Sequence, residues 1–168
     1  MASYDLALVF CTEAEVFAAG GYTWDTTSLP TDTQVYTFAQ WACGEIVLAT
    51  ASAGTRYAPA ASGISDVALR NTLVQANAVG AAYQAWAVMA RGGDPMAVEM
   101  RDQLRERWVR FIGGTAANGQ EVTGSIVAAV TTAATALAVR TDESDGFTEF
   151  PDEDTNTLSR VFTSADED

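Results

Sequence analysis

The side chains in this chain with chemical potential are carboxylates, arginines and two thiols. Glu13 with Glu15, and Asp152 with Asp154, are carboxylate pairs of the kind that general acid–base chemistry uses. None of them stands at useful spacing from a nucleophile, a base or a metal partner. The run Asp142-Glu143-Ser144-Asp145-Gly146 has the oxygen-rich texture of a calcium loop. Such a loop needs its glycine at the sixth position, whereas from Asp142 the glycine falls at the fifth, so the register fails. Cys11 and Cys43 lie far apart with no CxxC spacing and read as reduced thiols, not as a zinc or redox motif. The chain has no histidine, which removes the Ser/His and Cys/His nucleophile pairs and the commonest metal ligand. The expectation is a chain that is not an enzyme and holds no metal or cofactor.

The charge balance narrows the partners. Among 168 residues there are 22 acids and 9 basic residues, the latter all arginine, for a net charge of -13. That balance disfavours standing attraction to phosphate backbones or to anionic membrane surfaces. The acids are concentrated at the end: residues 142–168 carry ten of them and only Arg160, a charge of -9, while residues 1–141 are at -4. The use of arginine alone reflects either a GC-rich coding sequence or a salt-adapted host. The first residues lack a charged leader pattern, and the longest apolar stretch, Ile126 to Val139, is too short and threonine-broken to span a bilayer. A cytosolic chain is expected. Its hydrophobic fraction of 48% suits one compact body with a core.

The elements that position these groups are legible from caps and periods. Thr12 with Glu15 has capping-box spacing and Gly20-Gly21 is a stop, which predicts a short helix over residues 12–19. Pro30-Thr31, with Gln34 three residues after Thr31, opens a long helix from Asp32 to about Ser52. Val35, Phe38, Ala42, Ile46 and Ala49 align as its core stripe. Trp41 and Leu48 lie seven apart on a flank, near Glu45, and read either as a thick core edge or as a subunit contact.

Ser65 or Asp66 caps a third helix that runs to about Arg91. From Ala76 onward it is apolar nearly all round, so it needs cover on more than one side, which a small monomer is expected to supply poorly. Gly92-Gly93 ends it, and Asp94-Pro95 starts a fourth helix to Ile112, with Met100, Leu104, Trp108 and Phe111 on one side. Arg101 and Arg105 stack one turn apart at the edge of that stripe, set either to pair with Glu99, Asp102 and Glu106 or to meet a partner's acids.

Residues 115–125 are glycine-rich and polar, and Ile126 to Val139 fits helix or strand, with helix favoured by its alanines. The acidic end carries a small apolar island at Leu158, Val161 and Phe162 beside Arg160, and reads as an arm that orders on a partner or as a solubilising tail. The predicted architecture is mainly α, a bundle of about four helices with an extended acidic C-terminal arm. Its divisions are a helical bundle over 1–114, an Ala/Val/Thr-rich segment over 115–141 and the arm over 142–168.

The order of parts from Ser28 to Ile112 resembles the head-to-tail connector, or adaptor, proteins of long-tailed bacteriophages. The likeness is carried by Leu29-Pro30-Thr31-Asp32-Thr33-Gln34-Val35 opening a helix, by Ala42-Cys43-Gly44-Glu45-Ile46 within it, and by Arg56-Tyr57-Ala58-Pro59 in the following loop. It continues through Leu69 to Ala82 and closes at Asp94-Pro95, about half of the chain. Residues 113–139 and the long acidic tail lie outside it. The resemblance implies a homo-oligomeric ring of about twelve subunits in the virion neck, assembled in the host cytoplasm. Such a ring joins the portal protein to the next neck or stopper protein, DNA passes through its bore, and no reaction or membrane is involved. On this reading Leu158, Arg160, Val161 and Phe162 are the portal-contact candidates, and Trp41, Leu48, Arg101 and Arg105 the subunit-interface candidates. The rival readings are an acidic helical module that docks on one protein partner, and an enzyme working with carboxylates and arginines alone.

Overall fold

Each helix begins where a short polar side chain caps its free amides. The computed structural model describes residues 4–54, 56–59, 64, 66–116 and 118–132. Helix α1 spans Glu13–Gly20, α2 Asp32–Ser52, α3 Val67–Ala90 and α4 Pro95–Ile112, and residues 125–132 are also helical. At α1 the Thr12 hydroxyl accepts from the Glu15 amide, and the Glu15 carboxylate accepts from the Thr12 amide at 2.7 Å. Thr31 and Gln34 repeat this reciprocal capping box at α2. Asp66 caps α3, accepting from Ala68 at 2.8 Å and Leu69 at 3.1 Å, and Ser65 lies outside the described residues. Asp94 caps α4 ahead of Pro95, whose missing amide needs no partner there. Gly21, at φ 63°, closes α1 in the left-handed conformation that glycine takes most readily.

The core is built around α3, which packs against α1, α2 and α4. Every residue from Ala76 to Ala82 on it is buried. The expectation that a single chain would cover this helix poorly is therefore corrected for residues 76–82, while Tyr83, Gln84, Ala87, Val88 and Met89 beyond them are half-buried. Small residues let three neighbours approach closely enough to cover that middle stretch within one chain. Gly80 marks the tightest place: a Cβ there would stand 2.7 Å from the Ala42 Cβ and 2.7 Å from Cζ3 of Trp108. On α2 the buried side is turned from the expected stripe. Val35, Ala42 and Ile46 are buried, but Ala39, Cys43 and Thr50 complete the contact, while Phe38 and Ala49 are half-buried.

One buried polar side chain ties the elements together. Asn77 of α3 is 0% exposed; its Oδ1 accepts from the Phe10 amide at 2.8 Å and the Cys11 amide at 3.3 Å. Its Nδ2 donates to the Ala39 carbonyl of α2 at 2.8 Å. The segment before α1 is thereby fixed to the bundle. At the far side of α1, Trp86 donates to the Gly20 carbonyl at 2.9 Å within a cluster of Phe17, Tyr22, Trp24 and Trp86.

The region after α4 departs from a simple bundle. Gly114–Thr115 (β1) pairs antiparallel with Glu121–Val122 (β2), making a small hairpin. At its base the chain crosses itself at Gly113 and Gly124, where a Cβ on Gly124 would lie 2.5 Å from the Gly113 nitrogen. The helical stretch that follows places Ile126 and Val130, both 0% exposed, in the core. The core thus extends past residue 114, and the compact unit runs from Met1 to Thr132. Residues 133–139 of the Ala/Val/Thr run and the acidic arm lie outside the described residues.

Candidate functional site

Two helix edges meet at a pair of tryptophans. Trp41 of α2 lies over Trp108 of α4 with ring centroids 5.9 Å apart and planes at 42°. Trp108 is buried against Gly80, whereas Trp41 is 40% exposed and Leu48, two turns along α2, is 66% exposed. The rest of the outward face of α2 is Thr33, Gln34, Thr37, Gln40, Gly44, Ala51 and Ser52, all uncharged. Glu45, half-buried at its edge, is the one charge in this helix beyond the buried Asp32 at its start. A face with exposed aromatic and aliphatic groups and few charges has the composition of an interface centre.

Helix α4 carries four arginines, of which Arg101 and Arg105 line a groove with Asp102, Glu106, Val109, Thr115 and Ala116. Arg101 binds Asp102 at 2.7 Å, and Gln103 donates to Glu99 at 3.1 Å. Arg105, Arg107 and Arg110 make no ion pair among the described residues. The intrahelical reading of this charge pattern therefore holds for Arg101 and not for Arg105. Of the subunit-interface candidates, Trp41 and Leu48 are exposed on α2, and Arg101 and Arg105 lie on α4 in the groove beside the hairpin; the tilted contact of Trp41 with Trp108 joins the two helices. Sequence spacing had placed Trp108 with the core and gave no sign that Trp41 would rest on it. The four portal-contact candidates, Leu158, Arg160, Val161 and Phe162, lie outside the described residues.

A second concavity was not foreseen. Leu6, Val9, Phe10, Pro59, Ile64, Arg70 and Val74 line a groove of about 190 Å³ beside the start of α3. Arg70 is the one charged residue among those lining it, polar and apolar atoms share its surface about equally, and Pro59 brings the Arg56-Tyr57-Ala58-Pro59 loop to its rim.

Of the groups singled out for reactivity, Glu15 and the two thiols are in structural use, whereas Glu13 has a buried Oε1 that makes no hydrogen bond among the described residues. Glu15 is engaged in the α1 capping box. Both thiols are free and buried. Burial, with the Glu15 carboxylate nearby, pushes the Cys11 thiol up to about 12. Burial raises Cys43 to about 11, partly offset by the Phe10 amide. Both stay protonated at neutral pH, and a protonated thiol is a poor nucleophile. In a thiol-reagent assay at pH 8 the native chain is expected to react more than about 100-fold more slowly than the unfolded chain. Equal rates in the two states would contradict this burial. Among the described residues no cluster of three or more His, Cys, Asp or Glu is placed to hold a metal ion, and no helix is long and apolar enough to cross a membrane. No protein-family profile, curated protein or solved structure matches the chain.

Proposed function

We propose that this chain is a structural protein of the virion neck of long-tailed bacteriophages, a ring-forming connector between the portal protein and the next neck or stopper protein. The observation that carries the reading is the order of capped helices: a short α1, α2 opened by Pro30-Thr31, an Arg-Tyr-Ala-Pro loop, α3 of small residues and α4 opened by Asp94-Pro95. That is the order on which the resemblance to connectors rests. In the ring, of about twelve copies, neighbours meet across faces that include Trp41, Leu48, Arg101 and Arg105. The arm reaches the portal through Leu158, Arg160, Val161 and Phe162, apolar groups set among acids. DNA passes through the bore without being held, because a chain at -13 offers phosphates little attraction. No reaction, cofactor or membrane enters this role, and assembly takes place in the host cytoplasm.

The test is the mass of the purified chain by light scattering, alone and mixed with the portal of the same virus. A ring, or a fixed stoichiometric complex with the portal, is expected. Deleting residues 156–168 should abolish docking while the far-ultraviolet circular dichroism stays helical. A chain that ignores the portal would sink the connector reading and leave the second one, an acidic helical module that binds a protein partner outside any virion. One observation favours that rival: α1, α2 and α4 bury the middle of α3 within a single chain, so the fold does not require neighbours.

A further inference from the structure

We propose that Cys11 and Cys43 are a cross-linking site, which a small-molecule disulfide converts into one intrachain disulfide that fastens the segment ahead of α1 to α2. The sequence holds the two residues far apart, and the fold brings them together through Asn77. Its Oδ1 accepts from the Cys11 amide at 3.3 Å, and its Nδ2 donates to the Ala39 carbonyl at 2.8 Å. In an α-helix the carbonyl of one residue receives the amide four residues on, so the carbonyl that Asn77 holds is the one that receives Cys43. A single side chain therefore lies between the backbone of Cys11 and the turn of α2 that bears Cys43.

The sulfurs are on the inner side of that bridge. Cys11 is 0% and Cys43 4% exposed. The Phe10 amide, which donates to Asn77 at 2.8 Å, also bonds the Cys43 sulfur, so the residue next to Cys11 touches the second thiol directly. Each thiol lies within reach of the other's charge. Residues 4–12 are turns and bends with no helix, so the backbone of Cys11 has room to adjust as the bond closes.

The step is thiol–disulfide exchange, and it begins when the segment opens, because the closed fold keeps both thiols protonated. One cysteine thiolate attacks a sulfur of the small disulfide, whose S–S bond breaks, and the first small thiolate leaves and takes up a proton. As the segment closes, the second cysteine attacks the mixed disulfide and the second small thiolate leaves. Two protein thiols are oxidised to one disulfide, and one small disulfide is reduced to two thiols. A reducing cytosol holds such a pair open and an oxidising exterior closes it. On the neck reading, on which this consequence alone rests, release of the virion carries the chain from the first setting to the second, and the bond is a fastening added after assembly.

The experiment refolds the reduced full chain in a series of glutathione redox buffers, so that both cysteines are accessible at the start, and repeats the series in denaturant. Free thiols are trapped with an alkylating reagent and the products are read by intact mass and peptide mapping. The native chain is expected to end lighter by two hydrogens, with one peptide pair joining Cys11 to Cys43. The equilibrium constant for the bond should be at least about tenfold larger in the folded than in the unfolded chain, since a bond that stabilises the fold is favoured by it in the same proportion. Cys11→Ser and Cys43→Ser should each give the glutathione adduct alone. A folded chain that keeps two thiols or two adducts in the most oxidising buffer, a bond between two chains, or a bond no more favoured than in denaturant each overturns the proposal. Portal docking is measured separately, so failure here leaves the connector reading untouched.

Discussion

Replacing Asn77 with leucine is expected to lower the stability of the fold by about 2–5 kcal/mol, although leucine is of similar size and more apolar. The reason is what the asparagine leaves behind. Its Oδ1 is the acceptor for the Phe10 and Cys11 amides, at 2.8 and 3.3 Å, in a site that is 0% exposed. A buried amide without a partner loses about 1–3 kcal/mol, and leucine orphans two. The Ala39 carbonyl loses its 2.8 Å donor as well, but a helical carbonyl has other donors nearby, so this loss is the smaller one. Against a total stability of about 5–15 kcal/mol for a domain, the change is large. Chemical denaturation should show a lower midpoint at unchanged slope. Hydrogen exchange should accelerate most at the Phe10 and Cys11 amides, which a general loosening of the core would not single out. A stability change under about 0.5 kcal/mol would mean that these amides find other partners.

The same residue marks the limit of what the sequence tells. Helix limits were readable because a cap is a local event: Thr12 with Glu15, Thr31 with Gln34, and Asp94 with Pro95 each act within one turn. Asn77 in an alanine and valine run was visible only as one more position of an apolar helix. Its partners lie 67 and 38 residues away, and no local pattern points to them. The hairpin after α4 was missed for a different reason. Residues 115–125 carry no apolar period, yet Asn118-Gly119 is a hairpin-turn pair that could have marked it. The Asn118 side chain accepts from the Gln120 amide at 3.1 Å, and the Ala116 amide donates to the Gln120 carbonyl at 2.9 Å.

The candidate site was half legible. Spacing alone put Trp41 and Leu48 on an outer edge of α2 and Arg101 and Arg105 on one edge of α4, and exposure agrees with the first pair. Periodicity says which side of a helix a residue occupies but not where two helices cross. The meeting of the two helices at Trp41 and Trp108 follows from the crossing point, and that is set by Gly80, a residue with no side chain to read.

Two glycines inside helices therefore have opposite expected responses to the same change. Gly80→Ala should destabilise the fold by about 1–3 kcal/mol, because the new methyl meets the Ala42 Cβ at 2.7 Å and the Trp108 ring at 2.7 and 2.9 Å. Alanine recovers about 0.5–1 kcal/mol through helix propensity, which is too little to offset overpacking against a buried ring. Gly44→Ala has nothing within 4 Å of the added methyl and keeps the same helix-propensity gain, so it should stabilise by about 0.5–1 kcal/mol. Both are measured by denaturation of dilute protein, where copies are apart. The Gly80 variant carries a further signature. Trp108 can accommodate a methyl only by moving its ring, and Trp41 rests on that ring, so the fluorescence of the exposed tryptophan should change in the folded state. Were Gly80→Ala to stabilise like Gly44→Ala, the close crossing of α2, α3 and α4 would not exist, and the face built upon it would lose its geometric basis.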